Sequence, residues 1–514
     1  MKRTTLSLIA GATALAAVTG FASLTAPGGT AAPEAKAPTR LPVERAGLAC
    51  PVPSTSEVAE TLYTSYTPVS SGTGTAKGGA GTAGKPTTPL AQLRPAASAT
   101  ASGGAAKGGK KPKAPKAPAT VTAPGKPVTA EANGATAPAL TGSATGTLAP
   151  GWTVQQTTVV PAGGARGLLG LTCGAPDTDF WFPAASTAKE RQDYVHLTNP
   201  DDTAAVADIE LYGPEGVLKS QFTEGIPVPA HSTVPVLLST LTAAAAQQSV
   251  TVHVTTRSGR VGAAIGSADD KLGSDWLAAS ADPASTAVLP GIPADATSVR
   301  LVAFVPGEDD ADLKIQLVSK DGTIVPVSAG SLHVKSGMTA SAELPDLTRG
   351  QVGSLLLTPS DPKKPTPVVA ALRVVRGKGD DTEIAFVPAT PAIAARATVA
   401  DNRAKGTTLA LTVPPGADAQ VKVTASAGSG GGTPVSKTVT VKGGTTTALT
   451  DLVPGGLKGS YALTVEPVSG GKVYAARTLA VPLDGTPMFT IQTFTDDRGT
   501  VEVPSAHQDL GVLD

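Results

Sequence analysis

Residues 194–200 read YVHLTNP, and the same pattern, an alternating strand that ends on proline, recurs as RLVAFVP at 300–306 and as TLALTVP at 408–414. The copies are 106 and 108 positions apart. Alternation with a period of two predicts a β-strand, because successive side chains of a strand point to opposite faces. A strand that returns at this interval indicates an internal repeat of about 105 residues.

Two further sets of segments keep the same spacing. They are 228–232, 334–338 and 441–445, and then 260–264, 367–371 and 472–476. Between the first and second sets, residues 206–212 and 313–318 each run into a turn that contains glycine, which is typical of a β-hairpin. A unit of about 105 residues with roughly seven short strands has the size of an immunoglobulin-like β-sandwich.

We therefore expect an all-β protein with about three tandem immunoglobulin-like β-sandwich domains. Their predicted bounds are 149–290, 291–398 and 399–514, and the last domain is expected to include a C-terminal hairpin. Residues 240–248, with their run of alanines, are the best candidate for a short helix. Aromatic residues make up only 3% of the 514 residues, so the cores must consist mainly of Val, Leu, Ile and Ala, which pack well on a pleated sheet.

The first 26 residues are predicted to export the chain. Lys2 and Arg3 precede an apolar stretch, residues 6–26, that carries no charge. This order of a basic and then an apolar region is typical of a secretory signal. The apolar run is also just long enough, at about 20 residues, to span a bilayer, so a cleaved signal peptide and a signal anchor are both open. We expect an extracellular or cell-envelope protein, either secreted or membrane-anchored at its N-terminus.

Residues 27–66 are predicted to form a tether and the N-terminal segment of the first domain, and residues 67–148 a disordered insert. The insert is dominated by Gly, Ala, Ser, Thr, Pro and Lys, which cannot bury enough apolar surface to offset chain entropy. Its basic run at 107–116 is expected either to contact an anionic wall polymer or lipid or to act as a soluble spacer. Nucleic acid is not expected as a partner, because the chain is exported and the remainder is acidic.

A glycine pattern in this insert imitates a phosphate-binding loop. Gly79, Gly81 and Gly84 precede Lys85, but neither a strand nor a helix is predicted beside them, and Pro86 stands where Ser or Thr would bind a metal. We predict no cofactor.

Cys50 and Cys173 are the two cysteines of the chain. In an exported protein, two cysteines are most simply one structural disulfide, and two buried thiols are the alternative. The bond would pin residues near Cys50 onto the first folded domain.

The sequence carries no recognisable catalytic motif. The five histidines are not in an H-E-x-x-H pattern, and no G-x-S-x-G elbow is present. Acidic pairs fall in predicted turns, where Asp is favoured by local hydrogen bonds, at 201–202, 308–312, 380–381 and 496–497. The acidic cluster at 308–312 has the oxygen ligands that calcium prefers, but it lacks the spacing of an EF-hand. We predict no catalytic, cofactor-binding or metal-binding residue, and a protein that is not an enzyme.

Three tryptophans stand out because aromatic residues are so rare: Trp152, Trp181 and Trp276. Exposed, they could stack on sugar rings, whereas buried, they would fill the ends and junctions of the domains.

Five segments stand out together: 148–152, 172–176, 179–183, 193–200 and the tail from 503 to 513. In these segments the chain resembles the actinobacterial family called domain of unknown function 5719. The resemblance covers most of the chain except the basic insert. It implies a β-rich, secreted or membrane-attached envelope protein, and it transfers no active-site residue because the family has no assigned activity.

These observations favour a non-enzymatic, exported cell-envelope protein with a structural, scaffolding or binding role, whose partner is an envelope protein or a glycan. One alternative is a carbohydrate-binding module that acts on cell-wall or surface glycans. Another is an enzyme whose site is assembled from unrecognised residues.

Overall fold

The computed structural model describes residues 39–69, 89–99, 119–221, 224–327 and 329–503. The predicted export segment 1–26 and the basic run 107–116 lie outside these ranges. The predicted all-β class is confirmed: regular structure in the described residues is β-strand, apart from the 3-10 turns Gly146–Leu148, Leu238–Thr240 and Gly379–Asp381. The predicted helix at 240–248 is therefore wrong. No helix in the described part of the chain is long and apolar enough to cross a membrane.

The chain divides into two compact units. In the smaller one, strand β1 (Thr39–Pro42) pairs antiparallel with the final strand β39 (Thr500–Val503). The larger unit comprises residues 43–499. Strand β39 thus pairs with the start of the described chain and not with a strand of the larger unit.

The larger unit begins with a β-sandwich, sandwich 1, that the sequence repeats did not predict. Its sheets have the strand orders β2-β8-β4-β6 and β10-β9-β3-β7, and they enclose a core that includes Leu93, Leu140 and Val154. The strands are β2 (Arg45–Cys50), β3 (Glu60–Tyr66), β4 (Ala91–Pro95), β5 (Ala97–Ser98), β6 (Thr120–Val121), β7 (Val128–Asn133), β8 (Leu140–Thr145), β9 (Thr153–Val160) and β10 (Gly167–Thr172).

Sandwich 1 corrects two predicted boundaries. The expected disorder over 67–148 is wrong for residues 89–99 and 119–148, because these segments supply strands β4–β8 and bury apolar side chains such as Val121. The rest of the predicted insert, 70–88 and 100–118, lies outside the described residues. The predicted start of the first repeat at residue 149 is also wrong, because residues 149–172 contain β9 and β10 and complete sandwich 1.

The three predicted repeats fold as sandwiches 2, 3 and 4. Sandwich 2 contains β11 (Asp179–Ala185), β12 (Arg191–Thr198), β13 (Ala205–Gly213), β14 (Gly216–Leu218), β15 (Ile226–Val228), β16 (Ser232–Leu237), β17 (Val250–Ser258), β18 (Gly262–Asp269) and β19 (Gly273–Leu277). Sandwich 3 contains β20 (Ala287–Ile292), β21 (Ala296–Phe304), β22 (Ala311–Ser319), β23 (Gly322–Ile324), β24 (Ser331–Val334), β25 (Thr339–Glu343), β26 (Gly353–Pro359), β27 (Val369–Arg376) and β28 (Glu383–Pro388). Sandwich 4 contains β29 (Ala397–Asn402), β30 (Thr407–Val413), β31 (Ala419–Ala425), β32 (Gly431–Thr433), β33 (Val435–Val441), β34 (Thr445–Leu449), β35 (Gly455–Lys458), β36 (Tyr461–Gly470), β37 (Tyr474–Ala480) and β38 (Phe489–Thr493).

All four sandwiches share one topology. Each sandwich has one sheet with the same strand order. From sandwich 1 to sandwich 4 these sheets are β10-β9-β3-β7, β19-β18-β12-β16, β28-β27-β21-β25 and β38-β37-β30-β34. The facing sheets are β2-β8-β4-β6, β11-β17-β13-β14, β20-β26-β22-β23 and β29-β36-β31-β33. The strands that end on proline in the sequence repeats, β12, β21 and β30, are equivalent inner strands, and β3 is their counterpart in sandwich 1. Sandwich 1 is therefore a fourth copy of the repeat.

The four sandwiches form a closed ring. The first strand of each packs on the next sandwich: β2 on β18, β11 on β21 and β27, β20 on β30 and β37, and β29 on β3 and β9. The last of these contacts returns to sandwich 1. The strands β10, β19, β28 and β38 contact one another in the same cyclic order, so they define the centre of the ring.

Candidate functional sites

The predicted disulfide is present between Cys50, at the end of β2, and Cys173, directly after β10. The two residues are 123 positions apart, and their Cα atoms are 4.7 Å apart. Both belong to the core of sandwich 1. The bond therefore joins the first and last strands of this sandwich, rather than fixing a tether to a separate domain.

All three tryptophans are buried, at 4–8% of their full exposure. Trp152 lies in the core of sandwich 1, and its indole N–H donates to Oγ of Ser65 at 2.9 Å. Trp181 fills the seam between sandwiches 2 and 3, where it stacks on His253 at 3.6 Å between ring centres and on Phe304 at 5.4 Å. The structure thus gives no open platform for a sugar ring at these tryptophans.

Trp276 lies beside His196, whose Nδ1 atom is buried and has no hydrogen-bond partner among the described residues. Its ring meets that of His196 edge to face at 5.1 Å. Burial lowers the pKa of His196 to about 4, so this imidazole is neutral at physiological pH. A neutral histidine of this kind is a packing residue.

The other described histidines have carboxylate partners, and His507 lies outside the described residues. Each partner belongs to the same sandwich as its histidine: Asp202 for His231 at 2.7 Å, Asp179 for His253 at 3.1 Å and Asp312 for His333 at 2.8 Å. Over the described residues, no three His, Cys, Asp or Glu side chains lie close enough together to hold a metal ion.

The acidic pairs of the sequence are used in turns and ion pairs. Asp201 accepts two hydrogen bonds from Arg260, which hold the pKa of its carboxyl below the ordinary value. Asp496 accepts from the backbone N–H groups of residues 394–396, and Asp497 accepts from Arg396 at 2.5 Å. These pairs sit on separate turns and do not converge on one cleft.

A polar cluster that the sequence did not predict lies at the centre of the ring. Asp275 on β19 is 1% exposed, and its carboxylate accepts from the backbone N–H groups of Gly170 and Trp276 at 2.9 and 2.8 Å. The hydroxyl of Thr490 on β38 donates to the same carboxylate at 2.9 Å. Asp275 thereby links sandwiches 1, 2 and 4. Burial raises the pKa of Asp275 well above its usual range.

Gly170 permits this close approach. A Cβ atom at position 170 would clash with the side chains of Gln492 and Thr490 on β38. Only glycine therefore lets β10 bring its backbone N–H to Asp275 at the centre of the ring.

A second charged group lies where sandwiches 1 and 3 meet. Nε of Arg166, just before β10, donates to Glu383 on β28 at 2.9 Å, and its Nη atoms donate to the carbonyls of Asp380 and Thr382. Burial raises the pKa of Glu383 to about 7, although Arg166 opposes that rise. Arg477 on β37 is also fully buried, and burial lowers the pKa of its guanidinium to about 10.

These central groups are poorly placed for catalysis. Asp275, Glu383 and Arg477 are each 1% exposed or less, so a substrate has no access to them in this structure. The contacts of Asp275 and Glu383 instead hold the inner strands of different sandwiches together, whereas the guanidinium nitrogens of Arg477 have no hydrogen-bond partner among the described residues. A sequence signal did exist, since Asp275 is a lone acid inside the short strand β19, but the repeat pattern gave no reason to bring it to a ring centre.

The seam between sandwiches 2 and 3 contains an open cleft of about 330 Å³. One wall is formed by Met338–Ser341 at the start of β25, together with His333 and Lys335. Pro214 and Ser249 of sandwich 2 form the opposite wall. The cleft borders an edge strand, since β25 is hydrogen-bonded to β21 alone in its sheet.

The fold and these sites define an all-β protein built as a ring of repeated sandwiches, with a structural polar centre and an open strand edge on one seam. The chain belongs to the family of unknown function DUF5719, whose model matches residues 128–451. The match runs from the start of β7 in sandwich 1 to just after β34 in sandwich 4. Neither the curated proteins nor the solved structures contain a match to the chain.

Proposed function

We propose that the protein is a non-enzymatic component of the cell envelope that is exported and acts as a rigid binding or scaffolding ring. The closure of the ring carries this proposal. Because β29 packs back on β3 and β9, each sandwich contacts a neighbour on both sides. The buried hydrogen bonds of Asp275 and Arg166 at the centre are further links between sandwiches. A disulfide inside sandwich 1 suits an oxidising compartment, in agreement with the predicted export segment.

Cell fractionation tests the compartment. We expect the full chain in the medium, the wall or the membrane fraction, with Cys50 and Cys173 unreactive to a thiol reagent before reduction. A variant with Lys2→Glu and Arg3→Glu should be retained in the cytoplasm, because the basic start of the signal is lost. A wild-type chain found wholly in the cytoplasm with two reactive thiols would rule out the proposal.

The partner is proposed to be an envelope protein, with the basic run as a second, electrostatic contact to an anionic wall polymer or lipid. Five lysines between residues 107 and 116 supply that charge: Lys107, Lys110, Lys111, Lys113 and Lys116. Changing all five to Gln should abolish co-sedimentation of the full chain with purified anionic wall polymer, and salt should weaken the wild-type binding in the same way. Equal sedimentation of the two proteins would show that the basic run is only a spacer.

A carbohydrate-binding role has weaker support, because Trp152, Trp181 and Trp276 are all buried. The envelope-protein partner is therefore the role we pursue. Affinity capture from an envelope extract with the immobilised full chain, and with the heat-unfolded chain as control, tests it directly. Recovery of glycan alone by the folded chain would favour the carbohydrate-binding alternative.

A further inference from the structure

The seam between sandwiches 1 and 2 contains an added strand. Strand β5 of sandwich 1 pairs in parallel with the edge strand β16 of sandwich 2, so that Ala97 lies opposite Ser232 and Ser98 opposite Thr233. The backbone N–H of Ala97 donates to the carbonyl of His231 at 2.8 Å, and that of Ala99 donates to the carbonyl of Thr233 at 3.0 Å. A short extended segment of small residues thus covers this edge.

The repeats give β16 a counterpart in each of the next two sandwiches. His231 corresponds to Gly337 before β25 and to Gly444 before β34, and all three have positive φ angles, of 52°, 67° and 77°. At the seam between sandwiches 3 and 4, the hydroxyl of Thr323 donates to the carbonyl of Gly444 at 2.9 Å. The equivalent carbonyl is therefore engaged at two seams, once by a strand and once by a side chain.

The seam between sandwiches 2 and 3 differs from both in this carbonyl: within the described residues, the carbonyl of Gly337 accepts no hydrogen bond. In other respects it resembles the seam between sandwiches 3 and 4, because β25 and β34 each have one sheet neighbour, and the hydroxyl of Thr339 donates to the carbonyl of Tyr212 as that of Thr446 donates to Val318. The cleft of about 330 Å³ opens along Met338–Ser341, the counterparts of the β16 segment that β5 covers in sandwich 2. The cleft therefore lies at the position equivalent to that of β5 beside β16.

The edge of β25 has one backbone donor that the edge of β16 lacks. The backbone N–H of Leu344 donates to the carbonyl of Val299 on β21. In β25, the backbone N–H and C=O groups of Ala340 and Ala342 therefore point toward β21, while those of Thr339, Ser341 and Glu343 point away from it. The counterpart of Ser341 in β16 is Pro235, which has no N–H to offer a further strand. Ser341 keeps its donor, so β25 can continue the pairing beyond the point at which β16 must stop.

We propose that β25 is the docking edge for an extended segment of a partner polypeptide, which adds to the sheet in parallel as β5 adds to β16. Main-chain hydrogen bonds would supply the affinity. The segment would carry small, uncharged side chains, as Ala97, Ser98 and Ala99 do, because Pro214 and Ser249 of sandwich 2 also line the cleft and limit its volume to about 330 Å³. This inference deepens the proposed binding function and rests on it, since it names the surface and the class of partner.

The test uses the full chain and a fluorescent peptide with the sequence of residues 95–101, PAASATA. Fluorescence anisotropy should show saturable binding to the wild type. Ser341→Pro should weaken binding at least tenfold, because it removes an outward N–H from the edge. Ser341→Ala is the matched control and should bind as the wild type does. Both variants should have the same melting temperature as the wild type, because proline already occupies the equivalent position in β16.

Three results would overturn the inference. They are the absence of wild-type binding at millimolar peptide, equal binding by Ser341→Pro, and a concentration-dependent dimer that Ser341→Pro dissociates, which would identify a second copy as the occupant. Envelope capture separates the two proposals. A partner captured equally by wild type and Ser341→Pro would refute the β25 docking edge and leave the proposed binding function intact. Peptide binding without any captured envelope partner would support the β25 edge and contradict the proposed binding function.

Discussion

Glu383 lies where three sandwiches approach one another. Arg166 of sandwich 1 pairs with its carboxylate, and the adjacent Thr382 donates to the carbonyl of Lys271 in sandwich 2. Burial raises the pKa of Glu383 from its ordinary 4.5 to about 7, so the folded protein binds this proton more tightly than the unfolded chain does. Its contribution to stability is therefore fully present below about pH 4.5 and is lost as the pH rises through about 7.

Glu383→Gln should remove this part of the pH dependence, because an amide has a similar shape and no charge at any pH. The variant should match the wild type near pH 4 and exceed its free energy of unfolding at pH 8 by up to about 3 kcal/mol. Arg166 keeps the carbonyls of Asp380 and Thr382 as acceptors in the variant. Urea unfolding of both proteins at several pH values checks this, and a difference that does not change with pH would contradict it.

Asp275 is a cross-link between sandwiches, and its removal should be costly. Asp275→Ala leaves the N–H of Gly170 and the hydroxyl of Thr490 buried without their acceptor, at an expected cost of about 3–5 kcal/mol. Asp275→Asn keeps one acceptor oxygen and should cost clearly less. Thermal unfolding compares the two variants. Equal losses would show that the carboxylate fills space and does not bridge the sandwiches.

Among the elements, β2 and β10 are joined by the disulfide. In the chain-entropy picture, a bond that closes so long a loop stabilises by roughly 4–5 kcal/mol as an upper figure. The double variant Cys50→Ser and Cys173→Ser should therefore lose about 2–5 kcal/mol of stability. The reduced wild-type protein should have a melting temperature close to that of this variant, and the oxidised wild-type protein should have a clearly higher one. Identical unfolding of oxidised and reduced wild type would contradict a stabilising role.

The sequence predicted the elements of sandwiches 2–4 far better than those of sandwich 1. Strands β12, β21 and β30 alternate clearly and end on proline, so their period could be read directly. In sandwich 1, β4 to β8 are short, are rich in Ala and Thr, and are flanked by low-complexity segments at 70–88 and 100–118. This composition is typical of disorder. A few apolar residues such as Leu93 and Leu140 are nevertheless enough to pack these strands against core residues of β3 and β9.

At the scale of the whole molecule, the ring is the feature that the sequence could not predict. Repeats of equal length specify similar units, but they do not say whether the last unit meets the first. That information lies in contacts between residues almost 400 positions apart, such as Thr64 with Ser460. The central cluster follows from closure, and for this reason Asp275 and Glu383 could not be identified as partners of other sandwiches.

Ring closure can be tested with a cross-link across the seam between sandwiches 4 and 1. The hydroxyl oxygens of Thr64 on β3 and Ser460, directly before β36, are 3.4 Å apart and buried. Paired cysteines at these positions have the proximity that a disulfide needs. Thr64→Cys with Ser460→Cys should therefore oxidise nearly completely, seen as altered mobility on a non-reducing gel, and raise the melting temperature by a few degrees. Thr64→Cys with Ser319→Cys, which lies in sandwich 3, is the matched control and should stay reduced. If sandwiches 1 and 4 made no contact, neither cysteine pair would form a disulfide to a significant extent, and this result would disprove the ring.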